Sequence, residues 1–244
     1  VNSDINANIY GLSFNMLYCE DDDLDVDFKF GSLIGSKLSS FELNSGAGTA
    51  QNDTTYILAN KFTSECNINN QDHNYFVANN FFYMTTIQLK INHTKPSNSG
   101  WNNILNNSFI RTSGYTDYGS NLIFQNNRNY SNINVFNNFF SHTYNSTISY
   151  RMKHIGSSSL YTSSYYPIVQ YNVFASNSNY YYSYGGVYWD NLLNSTNYNN
   201  YLEISTGYTY STTDGKITVG ANAINKGNPS IQYYDIDMTR NDLG

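Results

Sequence analysis

Apolar residues in this chain come in short runs broken by asparagine. In YFVANNFFYM (Tyr75 to Met84), two amides interrupt what otherwise reads as a buried strand. A buried amide without a partner costs about 1–3 kcal/mol, so the interruption needs a structural reason. Aligned on Asn80, the pattern is Ile/Val/Leu, two residues, Asn, one residue, Phe/Leu. It recurs around Asn15, Asn60, Asn80, Asn107, Asn138 and Asn172, with a looser copy at Asn191. Composition alone predicts fewer than one strict match, against six found.

The spacing carries the next step. Successive asparagines lie 45, 20, 27, 31, 34 and 19 residues apart, so the motif is kept while the length between copies varies. That behaviour fits stacked coils whose insertions go to the outside. The first step has room for a further coil near Lys37 to Leu43. Each motif reads as two short strands meeting at a bend. The residue three before the Asn and the residue two after it face inward, and the Asn takes the bend in a backbone conformation that is often left-handed. Stacked about 4.8 Å apart, the amides bond to one another as a ladder. Asn79, Asn106 and Asn137 form a second, less regular column. Helix formers are scarce, so the expected fold is all-β, a right-handed parallel β-helix with coils of about 19–34 residues. The expected organisation is one domain over 1–244: N-terminal coils or a cap over 1–50, central coils over 51–215, and a capping segment over 216–244.

That last segment, AINKGNPSIQYYDIDMTRNDLG (Ala223 to Gly244), resembles the closing segment of secreted bacterial right-handed parallel β-helix proteins, many from Bacteroidetes-like sources. The match is carried by Ala223, Ile224, Gly227, Asn228 and Pro229, then by Asp235, Asp237, Arg240, Asn241, Asp242 and Gly244. Met238 stands where that family has Gly, and Asn225-Lys226 replaces Asp-Ala. The resemblance implies a secreted or cell-surface protein. Because the family's segment runs on past the final Gly, it also implies a chain that stops short of its natural end. On chemical grounds Asp235, Asp237 and Asp242 around Arg240 suit a hydrogen-bonded charge cluster covering the last coil; a Ca²⁺ site from the same carboxylates is the alternative.

Composition changes the picture mainly by exclusion. Charged residues are 12% of 244, and the net charge is −6. With Lys and Arg unclustered, nucleic acid is excluded as an expected partner. No apolar run reaches the roughly 18 residues of a membrane span. Polarity comes instead from 40 Asn and 25 Tyr, with Ser and Thr. The chain starts at Val1, without a visible leader, which reads as a mature protein or a fragment. Cys19 and Cys66 fit one disulfide in an oxidising compartment or two free thiols. Six Asn-x-Ser/Thr sites occur, a number that chance accounts for in such a composition.

Candidate chemistry is sparse. CEDDDLDVDF holds six carboxylates, of which Asp23, Asp25 and Asp27 alternate on one strand face. They are candidate Ca²⁺ ligands, although a solvated acidic loop is the plainer reading. YRMKHIG supplies Arg151, Lys153 and His154. Polysaccharide lyases built on β-helices use Arg or Lys as a base beside a uronate carboxyl, and these residues are weak catalytic candidates by that likeness. Asp72, Asp117 and Asp190 are the only acids between Glu65 and Glu203, and none is paired in sequence as glycoside hydrolysis requires. Aromatic surface is plentiful: Tyr165, Tyr180, Tyr182, Tyr184, Tyr188 and Trp189 offer flat faces for sugar rings or another protein. The expected function is therefore a non-catalytic extracellular surface, fibre-forming or adhesin-like protein that contacts glycans, surface proteins or copies of itself. The alternative is a polysaccharide lyase or glycoside hydrolase. No cofactor is required, with Ca²⁺ as an option.

Overall fold

The computed structural model describes residues 7–8, 14–27, 30–45, 54–70, 74–84, 89–93, 102–111, 120–125, 133–142, 150–155, 168–175, 181–184, 201–203, 209–210 and 217–219. Among them all regular structure is β, and all but one of the strand pairings are parallel.

Seven short strands make the first sheet: β2 (Phe14–Leu17), β4 (Gly31–Ile34), β6 (Thr54–Leu58), β9 (Asn74–Ala78), β12 (Asn102–Leu105), β15 (Ile133–Phe136) and β18 (Ile168–Gln170). Each pairs with its predecessor in this series, in the same register. At its end every strand turns through a two-residue bend into the second sheet. That sheet begins with two long strands, β3 (Glu20–Asp27) and β5 (Lys37–Ser45), and β1 (Ala7–Asn8) lies along β3.

Beyond β5 the second sheet forks. The front of β5 pairs with β7 (Lys61–Phe62), and its back pairs with β8 (Cys66–Asn70). Thr63, Ser64 and Glu65 interrupt the strand yet stay hydrogen-bonded to β5 through Leu38, Ser39 and Phe41. One branch continues through β10 (Phe81–Met84), β13 (Ser108–Arg111), β16 (Phe139–His142), β19 (Val173–Ala175) and β21 (Tyr201–Glu203). The other continues through β11 (Leu89–His93), β14 (Ser120–Gln125), β17 (Tyr150–Ile155) and β20 (Tyr181–Tyr184). Each repeat from β6 to β20 thus contributes three strands, and each strand lies beside its counterpart in the next repeat. A small antiparallel pair, β22 (Thr209–Tyr210) with β23 (Ile217–Val219), stands apart from both sheets.

The core lies between the sheets and is built of columns. Leu33, Ile57, Val77, Ile104, Val135 and Val169 form one column, and every member is buried. Across the bend, Leu38, Phe62, Phe82, Phe109 and Phe140 form another. Its rings stack face to face at centroid distances of 5.1, 4.7 and 4.8 Å. These spacings are the interstrand distance itself, so in-register pairing sets the stack. Each ring contact adds about 0.5–1.5 kcal/mol beyond area burial. On the third face Phe41, Cys66, Leu89 and Leu122 close the interior.

Candidate functional site

Among the described residues, the bends hold a continuous run of buried polar side chains. At each bend one residue has left-handed backbone: Tyr18, Gly35, Ala59, Asn79, Asn106, Asn137 and Tyr171, with φ between 53° and 66°. The next residue forms the ladder: Cys19, Ser36, Asn60, Asn80, Asn107, Asn138 and Asn172. The sequence pattern assigned the left-handed conformation to the ladder asparagine, whereas the residue before it takes the turn. That division leaves the ladder residue free to face inward.

The ladder amides are fully used. The backbone N–H of Asn60 donates to Asn80 Oδ1 at 2.9 Å, and its Nδ2 donates to the same oxygen at 3.0 Å. Asn80 to Asn107, Asn107 to Asn138, and Asn138 to Asn172 repeat both bonds at 2.9–3.0 Å. Each Nδ2 also donates backward, Asn80 to the Ile57 carbonyl and Asn107 to the Val77 carbonyl. In Asn80 and Asn107, two donated and two accepted bonds fill an amide that is no more than 2% exposed. The backbone closes the remainder, since Phe81 N–H donates to the Asn60 carbonyl and Ser108 N–H to the Asn80 carbonyl.

Asn15 is not part of this column. It is exposed in β2, opposite Ser32, whose hydroxyl donates to Asn15 Oδ1 at 2.6 Å. Leu17, expected to face inward, is 58% exposed. The rungs at that end are Cys19 and Ser36: Cys19 N–H donates to Ser36 Oγ, and Ser36 N–H to Asn60 Oδ1. Neither carries the amide that defines the motif, and Cys19 also has Met16 and Asp21 at the flanking positions. Leu33-x-x-Ser36-x-Leu38 matches the pattern in every other respect. Successive rungs are 17, 24, 20, 27, 31 and 34 residues apart. Asn191 lies outside the described residues.

Both cysteines are free thiols, and geometry forbids the disulfide. Cys19 sits at a bend two rungs from the repeat holding Cys66, an offset near 10 Å before any lateral distance, while a bridge needs Cα atoms within about 7 Å. Cys66 is fully buried in the core, and burial, helped by nearby Glu65, pushes its thiol pKa far up.

The acidic run is strand rather than loop, because Leu24 and Val26 lie opposite the buried Phe41 and Leu43. Asp23 lies opposite Ser40, Asp25 opposite Glu42, and Asp27 beside Asn8 of β1. Glu42 Oε1 accepts from Asn69 Nδ2 at 3.0 Å. Glu20 pairs with Lys37 at 2.7 Å, and the hydrogen bond to Lys37 lowers its carboxyl pKa. Among the described residues no group of three or more His, Cys, Asp or Glu is arranged to hold a metal ion.

Arg151, Lys153 and His154 lie on β17, where Arg151 and Lys153 alternate with His154. His154 is in register with Phe124 and through it with the buried Ile91, whereas Lys153 is in register with Ile123 and Tyr182. Neither of Lys153's register neighbours is an acid. Tyr182 and Tyr184 of β20 occupy positions alternate to Tyr181, which is in register with Met152 and through it with the buried Leu122. Tyr165, Tyr180, Tyr188 and Trp189 lie outside the described residues, as do Asp235, Asp237, Arg240 and Asp242 of the closing segment.

Comparison with family models, curated proteins and solved structures found no match. Among the described residues no helix is long and apolar enough to cross a membrane.

Proposed function

We propose that the chain is a right-handed parallel β-helix that serves as a non-catalytic extracellular contact protein, presenting a Tyr/Asn-rich face to glycans or to neighbouring subunits. Parallel strands joined by crossovers are right-handed in about 98% of cases, and the three-strand repeats give the coil. The observation that carries the functional reading is the register. The positions alternate to the core columns in the β8–β20 branch hold Glu42, Asn67, Lys90, Ile123, Lys153 and Tyr182 in one row, and Asn44, Asn69, Asn92, Gln125, Ile155 and Tyr184 in the next. These rows are rich in amides and end in two tyrosines, with their few charges scattered; within them Asn67 is buried. Such a surface suits contact by stacking and hydrogen bonding. Secretion is inferred from the resemblance of residues 223–244.

The test replaces Tyr182, Tyr184, Tyr188 and Trp189 together by Ala, then measures glycan-array binding and self-association by sedimentation. Loss of either is expected. Unchanged binding and assembly would remove this surface from the function. Release of unsaturated uronate from an acidic polysaccharide would instead establish a lyase.

A further inference from the structure

Three adjacent strands place a carboxylate, an amide and an amine in one row. Glu42 of β5 is in register with Asn67 of β8, and Asn67 with Lys90 of β11. Each is flanked along its strand by buried core residues, Phe41 and Leu43, Cys66 and Ile68, Leu89 and Ile91, so all three side chains leave the same outer face. Neighbouring strands lie about 4.8 Å apart, which sets the acid and the amine on either side of the amide and within reach of it.

The amide at the centre is left wanting. Asn67 is 9% exposed, yet its Oδ1 has no hydrogen-bond donor. An orphaned buried acceptor is costly, and Asn80 and Asn107 avoid that cost by filling every site. Glu42 is already turned towards β8, because Asn69 Nδ2 donates to its Oε1 at 3.0 Å and to Asn44 Oδ1 at 2.7 Å. Lys37 pairs with Glu20 at 2.7 Å, and Lys61 Nζ lies 5.5 Å from the Phe81 ring centre. Lys90, by contrast, is partly buried beside the orphaned amide.

We propose that Lys90 and Asn67 join in an isopeptide bond that the folded chain makes for itself, with Glu42 as the acid–base group. Lys90 Nζ gives a proton to Glu42 and attacks Asn67 Cγ, and the protonated carboxyl meets the orphaned Oδ1 as negative charge develops there. The Nζ–Cγ bond forms and the Cγ–Nδ2 bond breaks. Of the three protons on the lysine ammonium, one stays in the new amide and two pass through Glu42 to Nδ2, which leaves as ammonium. Nothing is oxidised or reduced. Fixed register supplies the proximity that an amine and an amide lack in solution. Lys90 follows Asn67 by 23 residues, so the bond closes a covalent loop between successive repeats.

The experiment is intact-mass spectrometry of the purified full chain under denaturing conditions, followed by peptide mapping. Loss of ammonia lowers the mass by about 17 Da from the sequence value, and a branched peptide joining the segments around Asn67 and Lys90 is expected. Lys90→Arg and Glu42→Gln should each restore the full mass while keeping the parent's circular dichroism. Lys90→Arg should also melt about 5–10 °C below the parent. The full sequence mass in the folded parent would overturn the proposal whatever the variants do. So would a deficit that persists in Lys90→Arg, which marks an asparagine succinimide instead. A deficit kept in Glu42→Gln but lost in Lys90→Arg would overturn the role of Glu42 and keep the bond. Lys37→Arg should retain the deficit, and its loss there would overturn the assignment to Lys90.

Discussion

Asn107 is where the ladder can be tested most sharply. Its Oδ1 accepts from Asn80 N–H and Nδ2, and its Nδ2 donates to the Val77 carbonyl and Asn138 Oδ1, all four bonds at 3.0 Å. Asn107→Ala strands two buried donors of Asn80 and removes one donor each from two acceptors. At about 1–3 kcal/mol for each orphaned buried group, the expected loss is about 3–5 kcal/mol. Asn107→Ser should cost less, about 2 kcal/mol, because Ser36 shows that a hydroxyl at a rung still accepts the preceding N–H. Asn107→Asp sets a carboxylate against the Val77 carbonyl and Asn138 Oδ1. Its pKa in the fold rises, so the fold holds the extra proton; stability is greatest below the unfolded carboxyl pKa of about 3.9 and falls as pH rises past it. Asn15→Ala, at an exposed position, should stay within about 0.5 kcal/mol. The assay is urea denaturation followed by far-ultraviolet circular dichroism, with amide hydrogen exchange at Asn80 and Asn107 as the local readout. Equal losses in Asn107→Ala and Asn15→Ala would refute the ladder as a source of stability.

Phe109→Ala, which cuts the ring stack between Phe82 and Phe140, should cost about 3–5 kcal/mol in the same denaturation series. Gly35→Ala should destabilise by about 1–2 kcal/mol, since φ is +66° and a Cβ would meet Tyr18 Cε1 at 2.7 Å; in a Tyr18→Ala background, thermal melting should show only the backbone share of that loss. A thiol reagent should modify Cys19 in the native chain and Cys66 only after unfolding, and two native thiols reacting alike would contradict the burial. Cys66 stays protonated in the fold, while the unfolded thiol ionises above pH about 8.5. The folded state then binds the extra proton, and stability should fall by up to about 1.4 kcal/mol per pH unit above that point relative to Cys66→Ala.

Much of the repeat was legible because one residue had to meet three demands at once. Asn60, Asn80, Asn107, Asn138 and Asn172 must bond across repeats, follow a tight turn and leave inward positions on both sides for Val77- and Phe82-like partners. Few residues satisfy all three, so the motif survives loops of any length. What could not be read is where the demands relax. At Ser36 and Cys19 a hydroxyl or bare backbone suffices, and the pattern slid to Asn15, an amide with suitable neighbours by coincidence. The acidic run was misread as a loop because charge outweighed the alternation of Leu24 and Val26. The site was less legible: face and register separate His154 from Lys153, and spacing along one strand shows only half of that arrangement, since Tyr182 comes from the next repeat.

The ladder has a direction. From Cys19 to Asn138 each rung donates its N–H to the side chain of the repeat that follows, so a repeat is left wanting until its successor is laid down. Each newest rung is therefore open-handed. Synthesis delivers repeats in that order, and each arriving asparagine satisfies the donors its predecessor has just exposed. A chain built this way is zipped from its beginning as it is made, and an interruption leaves its unsatisfied donors at the growing tip alone.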